Sequence, residues 1–133
     1  GTIWSSQVAP GNENHLMIRI YGEKGGLEWC QEDPNYLYYT PFGEAKRKIT
    51  RGGAGSLQIA NDVTRIPPGH PEGYLEGFAN IYTEVADAII DFNNGNYDPK
   101  KYLFPKVEDG LEGIRFIERS IASNASNSSW VNF

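Results

Sequence analysis

The sequence predicts an α+β fold: an open, mainly antiparallel β-sheet with two long helices packed on one face. In the first half of the 133-residue chain, apolar and polar side chains alternate at strand spacing. In the second half, apolar residues recur at helical spacing. Strands followed by helices are typical of an antiparallel sheet covered on one side. No internal repeat or linker interrupts the chain, so residues 1–133 are interpreted as a single domain.

Five segments are predicted to be strands. The clearest pair is a hairpin, in which Leu16–Tyr21 and Leu27–Cys30 alternate around a turn at Gly22–Gly26. The other predicted strands are Thr2–Ala9, Asn35–Thr40 and Lys46–Arg51. The last of these carries Lys46, Arg47, Lys48 and Arg51, a basic patch that we interpret as a solvated sheet edge.

Three helices are predicted after the strands: a short one near Leu57–Val63, and two long ones at Pro71–Asn93 and Val107–Ser123. Pro71 suits a first helical turn, where the N–H that proline lacks has no partner. Gly73 and Gly77 lie four residues apart on one face of the first long helix. Because glycine costs roughly 1 kcal/mol against alanine inside a helix, we expect another element to pack tightly against that face.

Composition excludes several classes of protein. A net charge of −5 argues against a nucleic-acid or anionic-membrane surface, and no apolar run is long enough for a membrane span. Cys30 is the only cysteine, so no internal disulfide is possible, and we expect a cytoplasmic protein. His15 has no partner at metal-ligand spacing in the sequence, so no metal site is expected.

Candidate binding residues cluster in the run Arg65–Tyr82, RIPPGHPEGYLEGFANIY. Arg65 could bind a carboxylate or hydroxyl-rich substrate through its planar fork, or pair with Glu72 or Asp62. His70 could contact substrate or assist proton transfer, or it could bond to backbone at the helix start. Glu72 could form a pair with Glu76 that serves in acid/base chemistry, or both could lie on a solvated helix edge. Tyr74 could contact a ligand or belong to the core. The tentative substrate-binding set is Arg65, His70, Glu72 and Tyr74.

This run resembles the C-terminal domain of the Gfo/Idh/MocA oxidoreductases, the glucose-fructose oxidoreductase and inositol dehydrogenase family. Two further stretches agree with it. LMIRIYGEKGGLEW at Leu16–Trp29 looks like the family's paired strands, and FPKVEDGLEGIRFI at Phe104–Ile117 looks like its last helix, followed by a Ser-x-x-Trp segment at Ser126–Trp130. The three blocks keep the family's order.

The resemblance implies that this chain is one part of a larger enzyme. The parent would transfer a hydride between NAD or NADP and a sugar or polyol, and this part would shape the substrate pocket and form a homo-oligomer through its open sheet face. The family's Glu-Lys-Pro and Asp-x-x-x-His motifs are missing, since Glu23-Lys24 is followed by Gly25.

No G-x-G-x-x-G follows a strand either, so we expect no catalytic or cofactor-binding residue here. The missing partner would be an N-terminal Rossmann-type domain, and the isolated chain would be inactive. The alternative functions are a non-catalytic carbohydrate-binding domain and a structural interaction domain.

Overall fold

A computed structural model describes all residues 1–133 and confirms the α+β class, with an open antiparallel sheet, one short helix and two long ones. The chain divides into two units, Gly1–Asn80 and Ile81–Phe133. The elements in chain order are β1 (Met17–Gly22), β2 (Gly25–Cys30), β3 (Tyr36–Pro41), β4 (Arg47–Thr50), α1 (Gln58–Asp62), α2 (Tyr74–Asn93) and α3 (Val107–Ala125).

The sheet of the first unit has four strands in the order β1-β2-β3-β4, all antiparallel to their neighbours. The register places Ile18 opposite Trp29, Leu27 opposite Tyr39, and Leu37 opposite Ile49. Because side chains alternate along a strand, these pairs give one predominantly apolar face. The opposite face carries Arg19, Glu28, Tyr38 and Lys48, and there the Arg19 Nε lies 3.4 Å from a Glu28 carboxylate oxygen.

The predicted β1–β2 hairpin is confirmed, with a tighter turn than the sequence indicated. Gly22 pairs directly with Gly25, which leaves only Glu23 and Lys24 in the turn. A Cβ on Gly25 would lie 2.5 Å from the carbonyl oxygen of Thr40 on β3. Glycine is therefore required at this position by the close approach of the neighbouring strand.

The predicted strand at Thr2–Ala9 is wrong. The segment forms no strand, and Ile3, Trp4 and Val8 are exposed. Apolar content alone does not make a strand, because its backbone N–H and C=O groups need a neighbouring strand to pair with. In this fold β1 is an edge strand that pairs only with β2.

The helix predicted at Pro71–Asn93 begins three residues later, at Tyr74. The backbone N–H of Gly77 donates to the carbonyl of Gly73 (2.9 Å), and the N–H of Gly73 donates to the Glu76 carboxylate (2.9 Å). Gly73 thus serves as the N-cap, with the reciprocal acidic side chain of a capping box at Glu76. Glu72, which we expected in the first turn, lies before the helix.

The expected tight packing at Gly77 is also wrong within this chain. A Cβ on Gly77 would meet no atom within 4 Å, and the same holds for Gly110 and Gly113 on α3. Gly73 does approach a neighbour closely, since its Cβ would lie 3.2 Å from Pro34 Cγ. Close approach therefore occurs at the helix cap and not along the helix face.

The buried positions differ between the two units. In the first unit the central strands β2 and β3 are the most protected, and Pro41 and Glu72 are buried. In the second unit the buried residues are Ala88 and Tyr102. The Tyr102 ring stacks on the Tyr97 ring, with 5.8 Å between the ring centroids, and its hydroxyl donates a hydrogen bond to Asp91 Oδ2 (2.5 Å). No helix of the chain has the length and apolar character that crossing a membrane requires.

Candidate functional site

A buried ion pair fixes the segment that leads into α2. The Arg51 Nη1 lies 2.6 Å from Glu72 Oε2, and the two side chains are 16% and 5% exposed. The Glu72 carboxylate also accepts hydrogen bonds from the backbone N–H groups of Arg65 (2.9 Å) and Ile66 (3.1 Å). A buried carboxylate is tolerated only when it is paired and hydrogen-bonded, and Glu72 meets both conditions.

Arg51 also binds the backbone carbonyl groups of the same segment. Its Nη1 donates to the carbonyl of Ile66 (2.6 Å) and its Nη2 donates to the carbonyl of His70 (2.7 Å). Its Nε donates to Asn35 Oδ1 (2.9 Å), and that oxygen also accepts from the N–H of Glu72 (3.2 Å). The planar fork of arginine allows these several bonds at once, which a lysine could not make.

The sheet places this arginine. Tyr36 pairs with Thr50 at the end of the β3–β4 ladder, and the N–H of Arg51 donates to the carbonyl of Asn35 (2.9 Å). Arg51 and Asn35 are therefore opposite each other just beyond the last strand pair. The segment 65–74 is consequently attached to the end of the sheet by three polar side chains, Asn35, Arg51 and Glu72.

A tight turn shapes the middle of the segment. The N–H of His70 donates to the carbonyl of Pro67 (3.3 Å), and Gly69 has a φ of +87°. A type II turn requires a positive φ at its third position, which glycine supplies, and proline is common at its second. The turn holds the backbone beneath His70, whose carbonyl is bound to Arg51, so the imidazole is carried on a fixed part of the chain.

The four residues predicted from sequence fall into two groups. Arg65, His70 and Tyr74 have exposed side chains, whereas Glu72 is buried. The Arg65 Nε donates to Asn80 Oδ1 (2.5 Å), and the Tyr74 ring lies 5.0 Å from the Phe78 ring. The structure thus presents a guanidinium, an imidazole and a phenol on one stiffened segment and places the carboxylate beneath it.

Sequence reasoning missed Arg51 and Asn35. It assigned Arg51 to a basic patch at a solvated sheet edge, but the side chain is only 16% exposed. The signal available was positional: Arg51 is the final residue of the last predicted strand and stands directly before the glycine pair Gly52–Gly53. Gly52 has a φ of +64°, and its Cβ would lie 3.3 Å from Thr64 Cγ2. Such a turn after a strand brings the arginine back against the segment that follows.

This arrangement can bind a polar ligand, but it contains no evident catalytic group pair. The guanidinium and imidazole can hydrogen-bond hydroxyl or carboxylate oxygens, and the phenol ring can cover an apolar ligand face. The Glu72 carboxylate already accepts bonds from two backbone N–H groups and Arg51, and the Glu76 carboxylate accepts the N–H of Gly73. Binding and orientation are therefore the chemistry that these residues support.

Comparison with known proteins agrees with the fold and with the motifs. Residues 1–133 match the family described as the C-terminal alpha/beta domain of an oxidoreductase family, Gfo/Idh/MocA. The uncharacterized oxidoreductase YfiI of Bacillus subtilis is 36% identical over 134 residues, which cover all of this chain and 34% of that protein.

Two solved structures are similar over nearly the whole chain. An oxidoreductase from Sinorhizobium meliloti is 56% identical with a TM-score of 0.87, covering 96% of this chain and 35% of that one. An inositol dehydrogenase homolog from Azotobacter vinelandii, complexed with NADH and myo-inositol, is 31% identical with a TM-score of 0.91. The match covers 98% of this chain and 35% of that one. The chain spans about a third of the length of these relatives. It belongs to the C-terminal domain family of the Gfo/Idh/MocA oxidoreductases.

Proposed function

We propose that this domain is the substrate-binding and oligomerising part of an NAD- or NADP-dependent oxidoreductase that acts on a sugar or polyol. The observation that carries the proposal is the stiffened segment 65–74, which presents Arg65, His70 and Tyr74 while Arg51 and Glu72 hold its backbone. The myo-inositol complex of the Azotobacter vinelandii relative supports a polyol as the substrate class.

Within this proposal the candidate residues have different roles. Arg65 and His70 donate hydrogen bonds to substrate hydroxyl groups, and Tyr74 covers a ring face. Glu72 acts on the substrate only through the backbone, because its side chain is 5% exposed and its oxygens are occupied. Glu72 is therefore a positioning residue together with Arg51. A mutation of either would displace His70, since its carbonyl is bound by Arg51.

The residues of this chain do not fit a dinucleotide. Pyrophosphate is usually held at a helix N-terminus that follows a glycine turn. Here α2 has Glu76 in its first turn, and α3 has Glu108 and Asp109. These carboxylates would repel the anionic ligand. We propose that a Rossmann-type domain elsewhere in the parent enzyme binds NAD or NADP, that this chain is inactive alone, and that the enzyme is cytoplasmic.

The sheet supplies the proposed oligomer contact. Ile18 and Ile20, which lie on the same face of the edge strand β1, are 49% and 59% exposed. Large side chains exposed on a sheet are typical of a surface that a partner covers, and a second copy of the parent is the partner proposed here. Light scattering of the parent enzyme should give at least a dimer, and replacing Ile18 and Ile20 by threonine should shift it to monomer. A wild-type monomer at micromolar concentration would contradict the proposal.

The carbohydrate-binding alternative has less support. It needs tyrosine rings that are free to stack on a sugar, but the Lys48 Nζ lies 3.3 Å from the centroid of the Tyr36 ring. The Lys46 Nζ is 5.2 Å from the centroid of the Tyr38 ring. These cation–π contacts occupy ring faces that a sugar would need.

The decisive experiment compares the isolated chain with the same chain joined to the sequence encoded upstream of Gly1. Reduction of NAD⁺ or NADP⁺ would be followed with a panel of polyols and sugars. We expect turnover with at least one polyol for the longer protein and none for the isolated chain. Turnover by the isolated chain, or no turnover of any polyol or sugar by the longer protein, would overturn the proposal.

A further inference from the structure

We propose that His15, Cys30 and Glu32 form a zinc site at the open end of the β1–β2 hairpin. One ligand atom from each residue, an imidazole nitrogen, the thiol sulfur and a carboxylate oxygen, lies within 4.8 Å of the other two. This cluster is far in sequence from the segment 65–74, and the proposed oxidoreductase activity does not depend on it.

The hairpin register brings these residues together. Met17 pairs with Cys30, and the N–H of Gln31 donates to the carbonyl of Leu16 (2.9 Å), so the ladder continues one residue beyond the strands. His15 then lies opposite Glu32. Sequence spacing hid this relationship, because 17 residues separate the two along the chain.

Glu32 already fixes the position of His15. Its Oε1 accepts a hydrogen bond from the His15 backbone N–H (2.8 Å), and its Oε2 lies 3.8 Å from the His15 Nδ1. His15 has a φ of +48°, in the left-handed region that few non-glycine residues adopt. The imidazole and the carboxylate are thus preoriented, and Cys30 completes the set as a free thiol of intermediate burial.

The donor set selects the class of metal. Thiolate, imidazole and carboxylate are the three ligand types that zinc uses, whereas calcium and magnesium prefer oxygen alone. Three protein ligands leave a fourth tetrahedral position. The His15 and Glu32 side chains are 47% and 45% exposed, so water can occupy that position. The site would tie the segment before β1 to the segment after β2.

Cobalt(II) is the probe that tests the site, because it replaces zinc in tetrahedral sites and gives a thiolate-to-metal absorption band. Cys30 is the only cysteine, so such a band reports this thiol alone. We expect one Co²⁺ per chain, displaced by one equivalent of Zn²⁺. The band should vanish in Cys30→Ser. Loss of a group that only hydrogen-bonds to a metal ligand weakens metal binding roughly 10- to 100-fold. His15→Asn and Glu32→Gln remove ligands themselves, so each should weaken cobalt binding by more than that.

Matched controls separate this site from adventitious binding. His70→Asn removes the only other histidine, and it should leave the cobalt affinity unchanged. Asparagine tolerates the left-handed backbone at position 15, so His15→Asn should keep the fold, which circular dichroism checks. The proposal is overturned if no band forms at one equivalent of Co²⁺. It is equally overturned if the double variant His15→Asn/Glu32→Gln binds as tightly as wild type, because the thiol alone would then account for binding.

Discussion

Arg51 and Glu72 form an ion pair with an N–O distance of 2.6 Å between a largely buried guanidinium and a buried carboxylate. They are 21 residues apart, one directly after the sheet and the other directly before the N-cap of α2. The two side chains together make four hydrogen bonds to backbone groups of Arg65, Ile66 and His70. The two charges thus organise the candidate site, and the Glu72 carboxylate is itself buried.

Glu72→Gln should destabilise the domain strongly. The change leaves the Arg51 guanidinium buried without its counter-charge, and breaking a buried pair in this way typically costs about 3–5 kcal/mol. Urea denaturation would measure the loss in the free energy of unfolding. Glu44→Gln is the matched control, because the Glu44–Arg47 pair is exposed and such pairs contribute about 1 kcal/mol or less. Equal effects of the two changes would show that the Arg51–Glu72 pair is not important for stability.

Local patterns predicted those parts of the fold that local chemistry determines. The β1–β2 hairpin and α3 were predicted to within a few residues, because alternation and helical spacing are properties of one segment. The start of α2 was missed by three residues because Gly73, with Glu76, caps the helix and Pro71 does not begin it. The burial of Arg51 could not be predicted, since it depends on Asn35 and Glu72, both distant in sequence.

Substitutions of the exposed candidate residues should reduce catalysis without unfolding the parent enzyme. We expect Arg65→Ala and His70→Ala each to lower kcat/KM roughly tenfold, which corresponds to about 1.4 kcal/mol of transition-state stabilisation. Each removes a donor proposed to bind substrate hydroxyls. Steady-state kinetics with the preferred polyol would measure this, with Arg115→Ala as a control at an exposed arginine of α3. Wild-type kinetics in both variants would contradict their assignment to the substrate site.

Gly77→Ala should stabilise the isolated chain by about 0.5–1 kcal/mol. Gly77 lies in α2 with no atom within 4 Å of an added Cβ, so alanine gains helix propensity without a clash. Gly25→Ala is the contrasting change. Its Cβ would lie 2.5 Å from the Thr40 carbonyl oxygen, so this substitution should destabilise the sheet. Thermal unfolding of both variants would test the pair. A destabilised Gly77→Ala would mean that something packs closely on that helix face after all.

Protonation of Asp91 in acid should lower the stability of the second unit. Hydrogen bonds from Lys101 and then Tyr102 hold the pKa of Asp91 below its ordinary value. A depressed carboxyl pKa contributes stability above the unfolded-state pKa of about 4, and that stability is lost as the pH falls through the lower folded-state value. Asp91→Asn should therefore flatten the decline of stability in this acid range, measured by urea unfolding at several pH values. Asp87→Asn, at an exposed position of the same helix, should leave the decline unchanged.

The isolated chain should bind neither NADH nor NADPH at micromolar concentration. The N–H of Gly73 at the start of α2 already donates to Glu76, and α3 opens with Glu108 and Asp109. A pyrophosphate would need free backbone N–H groups and the positive end of a helix dipole. At both helix starts carboxylates already occupy these N–H groups or repel an anion, and the chain has a net charge of −5. Titration followed by nicotinamide fluorescence would measure binding, with the longer parent protein as the positive control. Saturable micromolar binding by the isolated chain would place a cofactor site within these 133 residues and contradict the proposed division between domains.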